Sequence, residues 1–486
     1  MDQSRAPILE ALAEHRRLGR YGFTPPGHRQ GRGVDRETLD VLGADAFRND
    51  LVAASGLDDR SSSGGILQEA EDLMADAVGA GKAFFSTCGS SLSVKAAMLA
   101  VTRGRGEILI GRDSHKSVTA GLVLSGLQPR WITPRWDPDL HLAHPPSPEE
   151  VERMWERYPD ASAALIVSPT PYGSCADLTG IAEVCHRHDK PLIVDEAWGA
   201  HLPFHDDLPT WAMDAGADVC VVSVHKMGLG FEQGSVYHLQ GSLVDPIRLK
   251  QCADVLATTS SSVPIYAGMD AWRRQMVRNG KASLQRTLGL ARHVRTAVEE
   301  VIGIHVLEDE FLHEEASHDL DPLHIVMDVR QLGISGYQAA DWLRTERRID
   351  VGLNDHRRIE ATLSIADDEV TTSRLLAALG DLHDAAAELP RPPDVVLPSP
   401  GDLELQTVML PRDAFFGPVE VVPSAEAVDR VCAEQLTPYP PGIPAVLPGE
   451  RINAAVIDYL RSGVAAGMVL PDPADPSVET IRVVRE

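Results

Sequence analysis

Two apolar runs that end in reactive groups constrain this chain more than any other feature. The first runs from Pro191 to Val194 and ends in Asp195, Glu196 and Ala197. The second runs from Asp218 to Val222 and ends in Ser223, Val224, His225 and Lys226. Short continuous apolar runs of this kind read as strands buried on both faces, the usual state of a parallel strand. Parallel neighbours need a crossover between them. The intervening segment, polar and Pro-containing with a helical pattern at about Leu208 to Ala215, is expected to supply it. Ligands of open α/β sheets collect at the carboxyl ends of the strands. An acid and a lysine delivered there by neighbouring strands point to pyridoxal phosphate, the lysine bonding the cofactor aldehyde and the acid keeping its pyridine nitrogen protonated. Taken singly, such an Asp is usually a cap and such a Lys a solvated charge. The neighbours change that balance.

Seven strand candidates alternate with helices: 83–87, 107–110, 130–132, 163–167, 192–195, 219–223 and 234–239. This predicts an α/β domain with a mostly parallel seven-stranded sheet and helices on both faces. The orientation of the last strand stays open. Around the sheet, an N-terminal helix spans Arg5 to Arg17, and an amphipathic helix runs from Gly64 to about Val78. A long helical region extends from about Tyr266 towards Val301. After Gly303 short strands and a helix from Gly336 to Glu346 indicate a smaller α+β domain. Five prolines between 390 and 400 mark a linker, and a last segment follows around the rigid run Thr437-Pro-Tyr-Pro-Pro-Gly-Ile-Pro444. The expected division is 1–63 (helix and arm), 64–300 (large cofactor domain), 301–389 (small domain) and 390–486 (linker and C-terminal domain).

Gly89-Ser90-Ser91, between a strand and a helix, would present N–H groups and hydroxyls at a positive helix end, a phosphate cradle. A plain Ser N-cap is the simpler alternative. His115, after the next strand, would stand at the same sheet edge as Ser90 and Asp195 and could stack on a flat cofactor ring.

The net charge of −26 argues against nucleic acid or an anionic membrane as partner and fits a cationic small substrate. The N-terminus shows neither a secretory leader nor a membrane span. The six cysteines show no paired spacing and read as reduced core thiols, so a cytoplasmic protein without a metal is expected.

Taken together, the chain resembles the fold-type-I pyridoxal-phosphate enzymes, whose large domain is aspartate aminotransferase-like. Within them it resembles the ornithine/lysine/arginine decarboxylase family. The resemblance rests on Pro26-Gly-His28, Gly89-Ser-Ser91, Ser114-His-Lys-Ser117, Asp195-Glu-Ala197, Ser223-Val-His-Lys226, Thr258-Thr-Ser260, Gly336-Tyr-Gln-Ala-Ala-Asp-Trp-Leu343 and the 437–444 run. It covers nearly the whole chain and favours the short bacterial form, without an N-terminal wing domain.

The resemblance implies Lys226 as the cofactor-bonding lysine, Asp195 at the pyridine nitrogen, Ala197 behind the ring and His115 stacked on its substrate side. It implies Gly89, Ser90, Ser91, Ser223 and His225 as phosphate ligands, with Trp198 also at the cofactor. Thr258, Thr259 and Ser260 would reach the phosphate of a second subunit in a homodimer or dimer of dimers. Lys226, Asp195 and His115 would be catalytic. Loss of carbon dioxide from a basic L-amino acid is the expected reaction, arginine ahead of lysine and ornithine, with a place in polyamine biosynthesis. Asp413, Glu420 and Glu450 are candidates to read the substrate cation. Cys88, Trp198, Met227 and Gly352 depart from the usual family residues, as does Leu51-Val52 after Asp50. These departures bear on the substrate more than on the cofactor. An aminotransferase, an oxidative deaminase and a catalytically silent relative are the competing readings.

Overall fold

The computed structural model describes residues 1–53, 57, 65–102, 104, 106–312 and 317–485. The large sheet has seven strands: β1 (Lys82–Ser86), β2 (Glu107–Gly111), β3 (Gln128–Ile132), β4 (Ala164–Val167), β5 (Leu192–Asp195), β6 (Val219–Ser223) and β7 (Ser235–Leu239). Each lies within two residues of its sequence expectation. The chain forms two compact units, each discontinuous in sequence: residues 1–100 with 191–283, and residues 101–190 with 284–486.

In the first unit the strands lie in the order β1-β7-β6-β5. β5 and β6 are parallel, with Asp195 opposite Val221. β7 is antiparallel to both β6 and β1, which answers the question of orientation that spacing left open. Residues Val219 to Val222 are at most 2% exposed, so both faces of β6 are covered, as the unbroken apolar run requires. The helix expected at Leu208 to Ala215 does not form. Pro209 disfavours helical backbone at Leu208 and Gly216 interrupts the end; what forms is a set of turns, with Ala215 N–H on Trp211 O and Ala217 N–H on Ala212 O, both at 2.9 Å. The segment is tied down elsewhere: Ala212 N–H donates to Glu196 Oε2 (3.4 Å), and the Trp211 indole N–H donates to Val78 O (3.1 Å).

The N-terminal helix, Pro7–Arg17, is held to the helix Val263–Gln275 by a buried ion pair. Arg273 and Asp270 are both fully buried at 3.0 Å, and Asp270 accepts the Ile8 N–H at 2.9 Å. That bond serves one of the four N–H groups a helix start leaves without a partner. The predicted start of the next helix, Gly64, lies outside the described residues; the helix itself is Ile66–Val78.

In the second unit β4, β2 and β3 lie side by side and parallel. Here the small α+β layer is an antiparallel sheet in which β8 (His324–Asp328) pairs with β9 (Arg358–Thr362). The C-terminal segment builds its own core from Leu436, Val446, Ile452, Val456, Leu460 and neighbours. It is closed by the pair β10 (Val419–Pro423) and β11 (Thr480–Val484). Among the described residues no helix is long and apolar enough to cross a membrane.

Candidate active site

In the first unit, β5 and β6 end side by side and deliver Asp195 and Ser223, after which Val224–Met227 makes one helical turn that carries His225 and Lys226. Asp195 is 4% exposed and accepts the Ala197 N–H at 3.3 Å. Burial pushes its carboxyl above the usual range, and the Lys226 charge pulls it back down. Lys226 shows the reverse: burial lowers its ammonium below the ordinary lysine value, while Asp195 and Glu232 oppose the fall. Its Nζ lies 4.3 Å from the centroid of the Trp198 ring. Desolvation moves the lysine towards the neutral amine that a nucleophile needs, against the nearby carboxylate and aromatic face, which favour the ammonium.

Gly89 opens the helix Gly89–Val101 with φ +73°, and the space where its Cβ would stand is open. Ser223 Oγ donates to Ser90 Oγ at 2.7 Å. His225 Nδ1 bonds the Gly234 carbonyl at 3.2 Å, and a bond to a carbonyl puts the proton on that nitrogen. A helix start with an open glycine and two coupled hydroxyls, near a buried acid and a desolvated lysine, suits a phosphorylated pyridine aldehyde. Thr258, Thr259 and Ser260 form an exposed turn in which Ser260 N–H donates to Thr258 Oγ1 at 3.1 Å.

In the second unit, His115 caps the helix Lys116–Ser125. Its Nδ1 accepts the Ser117 N–H at 3.2 Å and lies 3.0 Å from Ser117 Oγ. A ring nitrogen that accepts from an amide carries no proton, so the neutral imidazole holds its proton on Nε2. The proline-rich run backs this ring. Lys116 N–H donates to Gly442 O at 2.9 Å, and a Cβ on Gly442 (φ +93°) would stand 3.0 Å from His115 Cδ2. Only glycine suits both the backbone angle and the gap.

The three acids proposed to read the substrate differ. Asp413 is exposed on the helix Pro411–Phe416. Glu420 pairs with Arg430. Glu450 is 1% exposed, accepts the Leu447 N–H at 2.8 Å and meets Arg112 at 3.3 Å, and burial raises its carboxyl above the usual range.

Residues 6–370 match the family model "Orn/Lys/Arg decarboxylase, major domain" and residues 402–472 match "Orn/Lys/Arg decarboxylase, C-terminal domain". The chain belongs to this family. It is 36% identical to an arginine decarboxylase of Bacillus anthracis, over all of this chain and 98% of the relative. It is 35% identical to an arginine decarboxylase of Bacillus subtilis, over all of this chain and 99% of the relative. The solved structure of lysine decarboxylase A from Pseudomonas aeruginosa shares the fold, with a TM-score of 0.80 at 22% identity over 99% of this chain and 80% of that one. The expectations of family, fold class and amino-acid decarboxylase are borne out.

For this family member, sequence reasoning missed two supporting residues. Glu196, fully buried next to Asp195, accepts from Cys220 Sγ at 3.2 Å, and burial holds its carboxyl far above the usual range. Its chain crowds Gly199, whose Cβ would stand 2.3 Å from Glu196 Cγ. Gln233, with φ +70°, offers its carbonyl to Gly89 N–H at 2.9 Å and so fixes the Gly89 turn. A second acid directly after Asp195 at the end of an apolar run was the signal for the first. Nothing in the sequence signalled the second.

Proposed function

We propose that the protein decarboxylates L-arginine with pyridoxal phosphate as its cofactor. The observation that carries the proposal is buried Asp195 and half-buried Lys226 at the ends of adjacent strands, in a chain that matches arginine decarboxylases end to end. The cofactor supplies a sink for the electron pair left when the carboxylate departs. Asp195 holds a proton at the pyridine nitrogen, and its burial strengthens that interaction. Lys226 would hold the cofactor aldehyde and would return a proton to the substrate α-carbon. Gly89, Ser90, Ser91, Ser223 and His225 bind the phosphate, Ala197 backs the ring and Trp198 flanks the lysine. His115 enters on its motif alone, as the ring-facing group and second proton donor. Among the three acids, Glu450 is the buried one, and its Oε1 has no hydrogen-bond partner among the described residues. It is our choice to read the guanidinium.

The proposal extends to a cytoplasmic homodimer in polyamine biosynthesis, with Thr258, Thr259 and Ser260 serving the second subunit's phosphate. It includes the four-part division at residues 63, 300 and 389. The test is a visible spectrum of the cofactor-supplemented protein and of Lys226→Ala, followed by arginine, lysine and ornithine with carbon dioxide and product detection. A band near ~420 nm that the variant lacks is expected, with carbon dioxide and amine from arginine first. No band overturns the cofactor reading. A band without carbon dioxide, with keto acid or aldehyde instead, moves the reaction to the aminotransferase or oxidative-deaminase branch.

A further inference from the structure

The second unit encloses a cavity of about 260 Å³ between the turn after β2, the hairpin 135–144, and residues of the small and C-terminal layers. It is somewhat below the usual ligand-pocket range of roughly 300–1,000 Å³, which suits a small organic molecule. Its walls are largely aromatic and apolar, with Trp136, Tyr337 and Tyr459 among them. None of the residues assigned above to substrate or cofactor lines it.

The charges in the wall do not balance. Arg112 is engaged by Glu450 (3.3 Å) and by the carbonyls of Pro444 (2.7 Å) and Ala445 (3.1 Å). Asp355 is matched by Arg358 at 2.8 Å and by the Tyr172 hydroxyl at 3.1 Å. His141 and His356 are kept neutral: burial depresses both, His356 to about 4. Glu404 is exposed. That leaves Asp113. It is 6% exposed and lines the cavity, and beyond its own backbone N–H no described donor reaches either of its oxygens. The carboxylate lies where Gly111 would otherwise carry a side chain, 2.6 Å from that glycine's Cβ position. A buried carboxylate without a partner costs several kcal/mol, far more than an apolar residue in its place.

We propose that this cavity binds a small organic cation, a guanidinium or alkylammonium with an apolar tail. Asp113 pairs with the charge, and the aromatic wall holds the tail and the cation's edge. The cavity lining shares no residue with the Lys226 site, and it gives the enzyme a place to sense molecules of its substrate and product class.

The probe is n-butylguanidinium, which cannot condense with the cofactor aldehyde. Isothermal titration of the holoenzyme is expected to show one saturable site per chain. n-Butylurea, of the same shape without the charge, is expected to bind about 10–100-fold more weakly, as is n-butylguanidinium to Asp113→Asn. Ala143→Phe, which narrows the cavity and keeps Asp113, is expected to abolish binding if the variant of Asp113 proves unstable. Absence of binding at millimolar probe overturns the proposal, as does equal affinity for the urea or for both variants. So does competitive inhibition against substrate with a constant equal to the binding constant, which places the probe at the catalytic centre.

Discussion

The strands that end at Ser223 and at Gly111 both run into turns that carry acid and base, yet the two turns treat their charges differently. At the first, Asp195 and Lys226 are both desolvated, and each moderates the other's shift. At the second, Asp113 is as deeply buried, but neighbouring Arg112 is turned to Glu450 and to two carbonyls. Burial alone therefore does not distinguish a chemical site from a binding site. The partner does: a buried acid with an internal cation tunes a reactive amine, whereas one without a cation draws one from outside.

Removing the internal cation breaks the comparison most severely. Lys226→Ala is expected to lower turnover by at least about 10²–10⁴-fold, measured as carbon dioxide release at saturating substrate. Asp195→Asn should follow with a loss of about 10²–10³-fold, whereas Asp113→Asn, which carries no proton in the reaction, should leave kcat within a few-fold. Equal losses in the two Asn variants would erase the distinction.

A pH titration of stability sharpens it. The Asp113 carboxyl is pushed up to about 7 by burial, against about 3.9 in an unfolded chain. The unfolded chain thus gives up its proton first, and stability falls as pH rises from about 4 to about 7, then levels. Urea unfolding should show this slope, at most ~1.4 kcal/mol per pH unit, and Asp113→Asn should flatten it. The smallest effect concerns the backing of His115. Gly442→Ala must adopt φ +93° against the imidazole and should cost about 1–3 kcal/mol, read as a lowered Tm with a fall in kcat larger than any change in KM.

Strand positions were most legible where a strand buried on both faces keeps an unbroken apolar run, as at Leu192–Val194 and Val219–Val222. Lys226, Asp195 and the Gly89 turn were legible because their place follows from where such runs end. The failed helix at Leu208–Ala215 had the right periodicity, but Pro209 disfavours helical backbone at Leu208, and the Ala212 N–H goes to Glu196. Three acids of the C-terminal segment were indistinguishable in sequence, since the pairing of Glu420 with Arg430 and the burial of Glu450 are tertiary facts. The same holds for Asp113, whose lack of a partner depends on where Arg112 turns.

The contact between Gly442 and His115 also sets an order of events in synthesis. Domains fold as the chain emerges, N-terminal parts first, so the strands that carry Asp195 and Lys226 can assemble while later residues are still being added. The imidazole acquires its backing only when the 437–444 loop has left the ribosome.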